Sequence, residues 1–149
     1  MRKLSLMAGV AFLAAGAACW AGGANDKDKE KLQGTWTLTS IAYDGKAIPL
    51  PAGKTVTLTF TGDKVAFKED GDKAAQDGTF KLDASKNPKH IDLNKGGAAK
   101  EDDKAIYSLD GDMLKICLGG KLSGDGKAER PAAFDSPMTI LMVFKRQAK

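Results

Sequence analysis

One histidine, two cysteines and scattered turn carboxylates are the residues in this chain with types suited to bond-making chemistry. His90 has Asp92 two residues on, which on a strand puts a general base and an orienting carboxylate on one face. Set between Lys89 and Ile91 at a loop–strand junction, the same histidine also reads as a surface residue. No Cys or His spacing suits zinc. The acidic turns Asp70-Gly71-Asp72, Asp102-Asp103 and Asp110-Gly111-Asp112 lack the ligand periodicity of a calcium loop and read as turn formers. The glycines from Gly119 to Gly126 are followed by no Lys-Ser/Thr pair and no helix, so they make no phosphate loop. With no nucleophile–base pair and no metal set, the expectation is a non-enzyme: no catalytic residue, no metal, no cofactor.

Two side chains suit binding better than reaction. Trp36 offers a flat apolar platform to a ligand, or a plug for the core. Arg130 offers a planar fork that grips an anion, or equally satisfies loop carbonyls or a carboxylate of the protein itself. Cys117 is the one thiol left in the body of the chain when Cys19 is set aside with the leader, so no internal disulfide forms there. It reads as a small apolar residue or as a reactive thiol, and it alternates out of phase with Leu114, Ile116 and Leu118.

Short strands must position these residues. In Gly34 to Tyr43, Trp36 and Leu38 share a face opposite Thr35, Thr37 and Thr39, and Ile41 breaks the parity, which predicts a bulge near Ser40. Asp44-Gly45 is a turn. From Thr55 to Thr61, Val56, Leu58 and Phe60 alternate with threonines. Gly62-Asp63 then turns the chain into Val65 and Phe67, a hairpin signal. Phe80 and Leu82 mark another strand, Ile91 and Leu93 a short one, and Lys95 to Asp103 a glycine-rich charged loop. Ala105 to Leu109 and Met113 to Leu118 flank Asp110-Gly111-Asp112. The run Leu109-Asp-Gly-Asp-Met-Leu114 echoes Phe60-Thr-Gly-Asp-Lys-Val65, so two hairpins share one turn chemistry with a left-handed glycine. After a long Gly- and Pro-bearing loop, in which Arg130 to Phe134 is a candidate edge strand, the apolar run Thr139 to Phe144 is a last strand covered on both faces. Seven to nine strands at such spacing predict an all-β, antiparallel small barrel, with an open two-sheet sandwich as the alternative.

The first 24 residues stand apart. Arg2 and Lys3 precede the apolar stretch Leu4 to Ala18, which is short for a membrane span, and small residues follow it. This is the pattern of a cleaved export signal, cut after Ala21 or Ala24. Cys19, in Gly16-Ala17-Ala18-Cys19, is the alternative: a lipidation site of a lipoprotein signal, which lacks here the usual leucine three residues earlier. Cleavage leaves roughly 125 residues, one domain's worth. Lys and Arg number 23 against 19 Asp and Glu, two of the basic residues lie in the leader, and the signs are interleaved as in Asp26-Lys27-Asp28-Lys29-Glu30-Lys31. Without a basic block, nucleic acid is not an expected partner.

Taken in order, Leu32-Gln-Gly-Thr-Trp36, Thr79-Phe-Lys-Leu-Asp83, Pro88-Lys-His-Ile-Asp92, Ile106-Tyr-Ser-Leu-Asp-Gly-Asp-Met-Leu-Lys-Ile-Cys117 and Arg130-Pro-Ala-Ala-Phe134 resemble a small exported lipocalin-like domain family of unknown function, abundant in planctomycete bacteria. The resemblance covers nearly the whole chain after the leader. It implies a lipocalin-like barrel that begins at Gly34-x-Trp36, with Trp36 closing the bottom of the core and Arg146, just past the last strand, packing across it. It implies binding rather than catalysis, although longer lipocalins carry a helix after the eighth strand where this chain is Gly- and Pro-rich. The expected organisation is a signal peptide over residues 1–24, a charged leader over 25–31 that is disordered or a short helix, a lipocalin-like β-domain over 32–146 and a polar tail over 147–149. The expected function is a monomeric, exported, non-catalytic domain that binds a small apolar or amphipathic ligand; the alternative is a structural or interaction domain with a filled barrel. Contact with a membrane is expected only if Cys19 is lipidated.

Overall fold

A computed structural model of the chain describes residues 24–96, 102–120 and 129–148. Residues 1–23, all of the expected signal peptide but Ala24 and including Cys19, lie outside the described residues, as do the centre of the loop after Leu93 and Gly124 and Gly126 of the long loop. One helix, α1 (Ala24–Leu32), precedes nine strands: β1 (Gly34–Tyr43), β2 (Lys46–Ile48), β3 (Val56–Thr61), β4 (Lys64–Glu69), β5 (Gln76–Asp83), β6 (Lys89–Asn94), β7 (Asp103–Asp110), β8 (Met113–Gly119) and β9 (Thr139–Arg146). Each strand from β3 onward pairs antiparallel with the next, and β1 pairs with both β3 and β9. Eight strands thus close into a lipocalin-like barrel, and β2 is a short flap on the upper half of β1. Closure leaves the barrel strands without free edges, the liability of open sheets.

Local sequence explains the register. The turns after β3 and β7 each place a glycine first of two residues, Gly62 at φ 60° and Gly111 at φ 58°, a left-handed conformation that suits two-residue hairpins. Asp44 and Gly45 both take positive φ, 49° and 75°, in the tight turn between β1 and β2. The register of β1 against β9 slips between Leu38 and Ser40, the bulge that Ile41 predicted. It returns Ile41 to the inner face opposite Met142, while the Thr39 hydroxyl donates to the Val143 carbonyl at 3.0 Å.

Inward residues of every barrel strand form one core around Trp36, Phe60, Phe80, Tyr107, Ile116 and Phe144. Phe60 and Phe80 meet edge to face at 5.0 Å. Outside the barrel, residues 129–138 cross β7 and β8 as an irregular strap. They form no edge strand: Pro131 lacks a ladder donor, and the Ala133 and Ser136 backbones close a turn instead. Ile106 and Cys117 point outward into this cover and are fully buried.

The lower end is closed by α1, which is the short-helix form of the charged leader and part of the folded unit. Its only large apolar residue, Leu32, is fully buried. Polar contacts do the rest. The Asn25 side chain accepts from the Ala84 amide, Lys29 pairs with Asp63, and the Gln33 amide bonds Gly62 in both directions. Trp36 Nε1 donates to the Leu32 carbonyl at 2.8 Å, and the Arg146 guanidinium stacks 4.2 Å from the Trp36 ring. Arg146 also donates to the carbonyls of Gln33, at 2.9 Å, and Lys31, which α1 leaves without helical partners. Gly34 carries φ 115°, a backbone conformation that side-chain-bearing residues rarely adopt, so the start of β1 two residues before Trp36 calls for glycine.

Removing the guanidinium should expose the ring and orphan two carbonyls. In protein cleaved after Ala24, where Trp36 is the single tryptophan, Arg146→Ala should redden the emission and lower stability by about 1 kcal/mol or more. Denaturant titration followed by fluorescence checks both, and an unchanged spectrum and midpoint would refute the packing argument.

Candidate functional site

Large side chains fill the lower half of the barrel and leave the upper half open. A cavity of about 260 Å³ lies there, walled by Leu58, Val65, Phe67, Leu93, Ile116, Leu118, Met142 and Phe144. Every one of these belongs to an inward row that strand alternation forces: β3 and β4 supply the first three, β6 the fourth, β8 and β9 the rest. The cavity's polar lining gathers on one side, where Gln76 starts β5 and Asn94, Lys95 and Asp103 flank the loop from β6 to β7. Lys95 Nζ sits 2.9 Å from an Asp103 carboxylate oxygen. Asn94 donates to Asp102 at 2.8 Å and accepts from the Gly96 amide at 2.8 Å, which braces this wall. Gly78 also lines the cavity: a Cβ there would lie 1.9 Å from the Asn94 carbonyl, so only glycine lets the two chains approach.

Trp36 and Arg130, which the sequence offered as structural residues or as ligand contacts, both lie away from this cavity. Trp36 is at the closed end, fully buried and bonded to α1. Arg130 is on the outer surface, where Nη1 donates to the Ala105 carbonyl at 2.7 Å and Nη2 binds the Asp92 carboxylate. It anchors the strap to β6 and β7. Asp92, which the sequence offered as the orienting partner of His90, is therefore taken by Arg130 instead. His90 stands opposite Ile106 on the outer face, and its pKa is lowered by partial burial and then by the Arg130 charge. Under the strap, the Cys117 sulfur lies 3.9 Å from the Phe134 carbonyl, and burial pushes its thiol pKa up, away from the reactive thiolate. Among the described residues no group of three or more His, Cys, Asp or Glu is placed to hold a metal ion.

Sequence reading missed one cluster. Asp28 of α1 is 5% exposed, and its Oδ2 accepts from the Tyr107 hydroxyl and from Lys89 Nζ, both at 2.7 Å. Within a helix of alternating charges nothing set Asp28 apart from Asp26 or Glu30. Burial is the largest influence on its carboxyl and acts upward, but the hydrogen bonds from Lys89 and Tyr107 and the positive charges of Lys89 and Lys31 together outweigh it and hold the pKa below 3.8. Burial, then Asp28, pushes the Tyr107 phenol strongly upward, so it stays protonated as a donor. Chemically this is a latch between α1 and the barrel wall.

The latch sets a pH dependence. Because the folded pKa of Asp28 is depressed, its contribution is complete above the ordinary value of 3.8 and is lost as pH falls through the lower folded value. Asp28→Asn should cost about 1–3 kcal/mol near pH 7. The gap from wild type should narrow below pH 3.8, as urea melts across an acid series would report. The strap gives a second expectation. Arg130→Ala should speed native-state labelling of Cys117 by a thiol reagent by about tenfold or more, since freeing a latch worth ~1.5–3 kcal/mol raises the open fraction accordingly. Equal rates in both proteins would show that the strap does not depend on Arg130.

Compared with known proteins, the chain matches a family model described as a lipocalin-like domain over residues 32–127. No curated protein and no solved structure gives a significant match. The matched span starts at Leu32 under the barrel floor and runs past β8, taking in seven of the eight barrel strands and most of the cavity wall. On that match and the closed antiparallel barrel that accompanies it, the chain belongs to the lipocalin-like domain family.

Proposed function

We propose that this protein is an exported, non-catalytic barrel that holds one small apolar or amphipathic molecule in its upper cavity. The observation that carries the reading is the cavity itself: about 260 Å³ walled almost wholly by apolar side chains, with polar groups confined to one edge. Its size is near the lower end of the ~300–1,000 Å³ common for ligand sites, so the occupant is small. Export rests on the leader, with its basic start, apolar stretch and small residues before Ala21 and Ala24; anchoring through a lipid on Cys19 is the alternative. An intact mass from the producing cells locates the cut or reveals the lipid. The reading takes the protein as a monomer without cofactor or nucleic-acid partner, and as touching a membrane only through a lipid on Cys19.

A filled structural barrel is the second reading, and the packed lower half favours it. Binding of a neutral apolar fluorophore such as N-phenyl-1-naphthylamine separates the two. One saturable site is expected in the wild type. Leu118→Trp, which fills the cavity, should weaken binding by about tenfold or more while leaving the melting temperature equal or higher, because new contacts replace empty space. Absence of saturable binding, together with no small molecule retained in native mass spectrometry, would leave the filled barrel.

A further inference from the structure

The mouth of the cavity carries a rule about charge. Among the described residues, the charged side chains that line the cavity are Lys95 and Asp103, and they neutralise each other across 2.9 Å. Asp103 is the more sheltered partner, its side chain 23% exposed against 60% for Lys95. An anionic head that approached Lys95 would come equally close to Asp103. If it drew Lys95 away, it would leave a half-buried carboxylate unpaired, which is costly. A cationic head that approached Asp103 meets the opposite problem with Lys95. A neutral head with a donor and an acceptor breaks nothing: it can donate to a carboxylate oxygen that Lys95 leaves open and meet the Gln76 amide on the same edge.

Resting on the binding reading above, we propose that the site selects uncharged amphiphiles, a short apolar chain ending in a hydroxyl or a primary amide, and discriminates against fatty acids and alkylamines through the Lys95–Asp103 pair. The two residues are specificity determinants of opposite sign. Lys95→Gln leaves the Asp103 charge alone at the mouth and turns preference toward cations. Asp103→Asn leaves Lys95 and turns it toward anions.

Displacement of N-phenyl-1-naphthylamine at pH 7 by decanol, decanoate and decylammonium tests this, on protein recovered from its producing cells. The wild type should bind decanol about two- to fivefold more tightly than either ion, the range that one exposed ion pair commands. Lys95→Gln should raise decylammonium in the ranking, and Asp103→Asn should raise decanoate. Circular dichroism of each variant confirms the fold, and the wild-type ranking needs no variant. Tighter binding of decanoate than of decanol by the wild type, or the same ranking in all three proteins, would overturn the charge rule while leaving the cavity as a ligand site. Failure of the fluorophore and all three compounds to bind would overturn both.

Discussion

Pairing of β1 with β9 is the contact on which the remaining structure depends. It joins residues about a hundred positions apart in sequence, from Tyr43 with Ile140 to Trp36 with Arg146, and turns a row of hairpins into a closed surface with an inside. Both strands are adapted to the junction. The bulge at Thr39 adjusts register so that β1 keeps its apolar face inward along its whole length. At the lower end Trp36 and Arg146 stand directly opposite each other, and the guanidinium covers the ring while bonding the last carbonyls of α1. One arginine thus ties the last strand, the first strand and the cap helix together.

That junction gives the barrel a polarity. Below, aromatic side chains and Leu32 fill the interior, and α1 is held on by hydrogen bonds and charge rather than apolar area. A helix so polar is marginal alone and persists through its tertiary partners. Above, a mostly aliphatic lining leaves a cavity open. The buried bond from Tyr107 to Asp28 belongs to the first half and the ion pair of Lys95 with Asp103 to the second. The lower charge is committed to stability; the upper pair stands at the edge of a cavity, its lysine largely solvated and its carboxylate the more sheltered.

Hairpins and strand faces were legible because their causes are local. Gly62 and Gly111 announce their turns, the threonine alternation of β3 announces its inner face, and the misplaced Ile41 announces a bulge. The Arg130 segment differs from the expected edge strand because Pro131, Ala133 and Phe134 bury surface on the outside of the sheet and without its hydrogen bonds. The cavity was not legible at all. Leu118 or Met142 has the same alternation whether its neighbours fill the interior or stop short of it.

From sequence alone come the antiparallel β class, the turn positions, and the pairing of Gly34 and Trp36 that marks the start of the barrel; each rests on residues within a few positions of one another. The tertiary structure alone decided that Arg130 meets Asp92 and the Ala105 carbonyl outside the barrel, that Asp28 is buried while Asp26 is not, that Cys117 lies under a strap, and that open space sits above the core instead of around Trp36. These depend on which distant residues meet and how completely their volumes fill a closed surface. A chain's local periodicity carries the face of each residue but not the company it keeps.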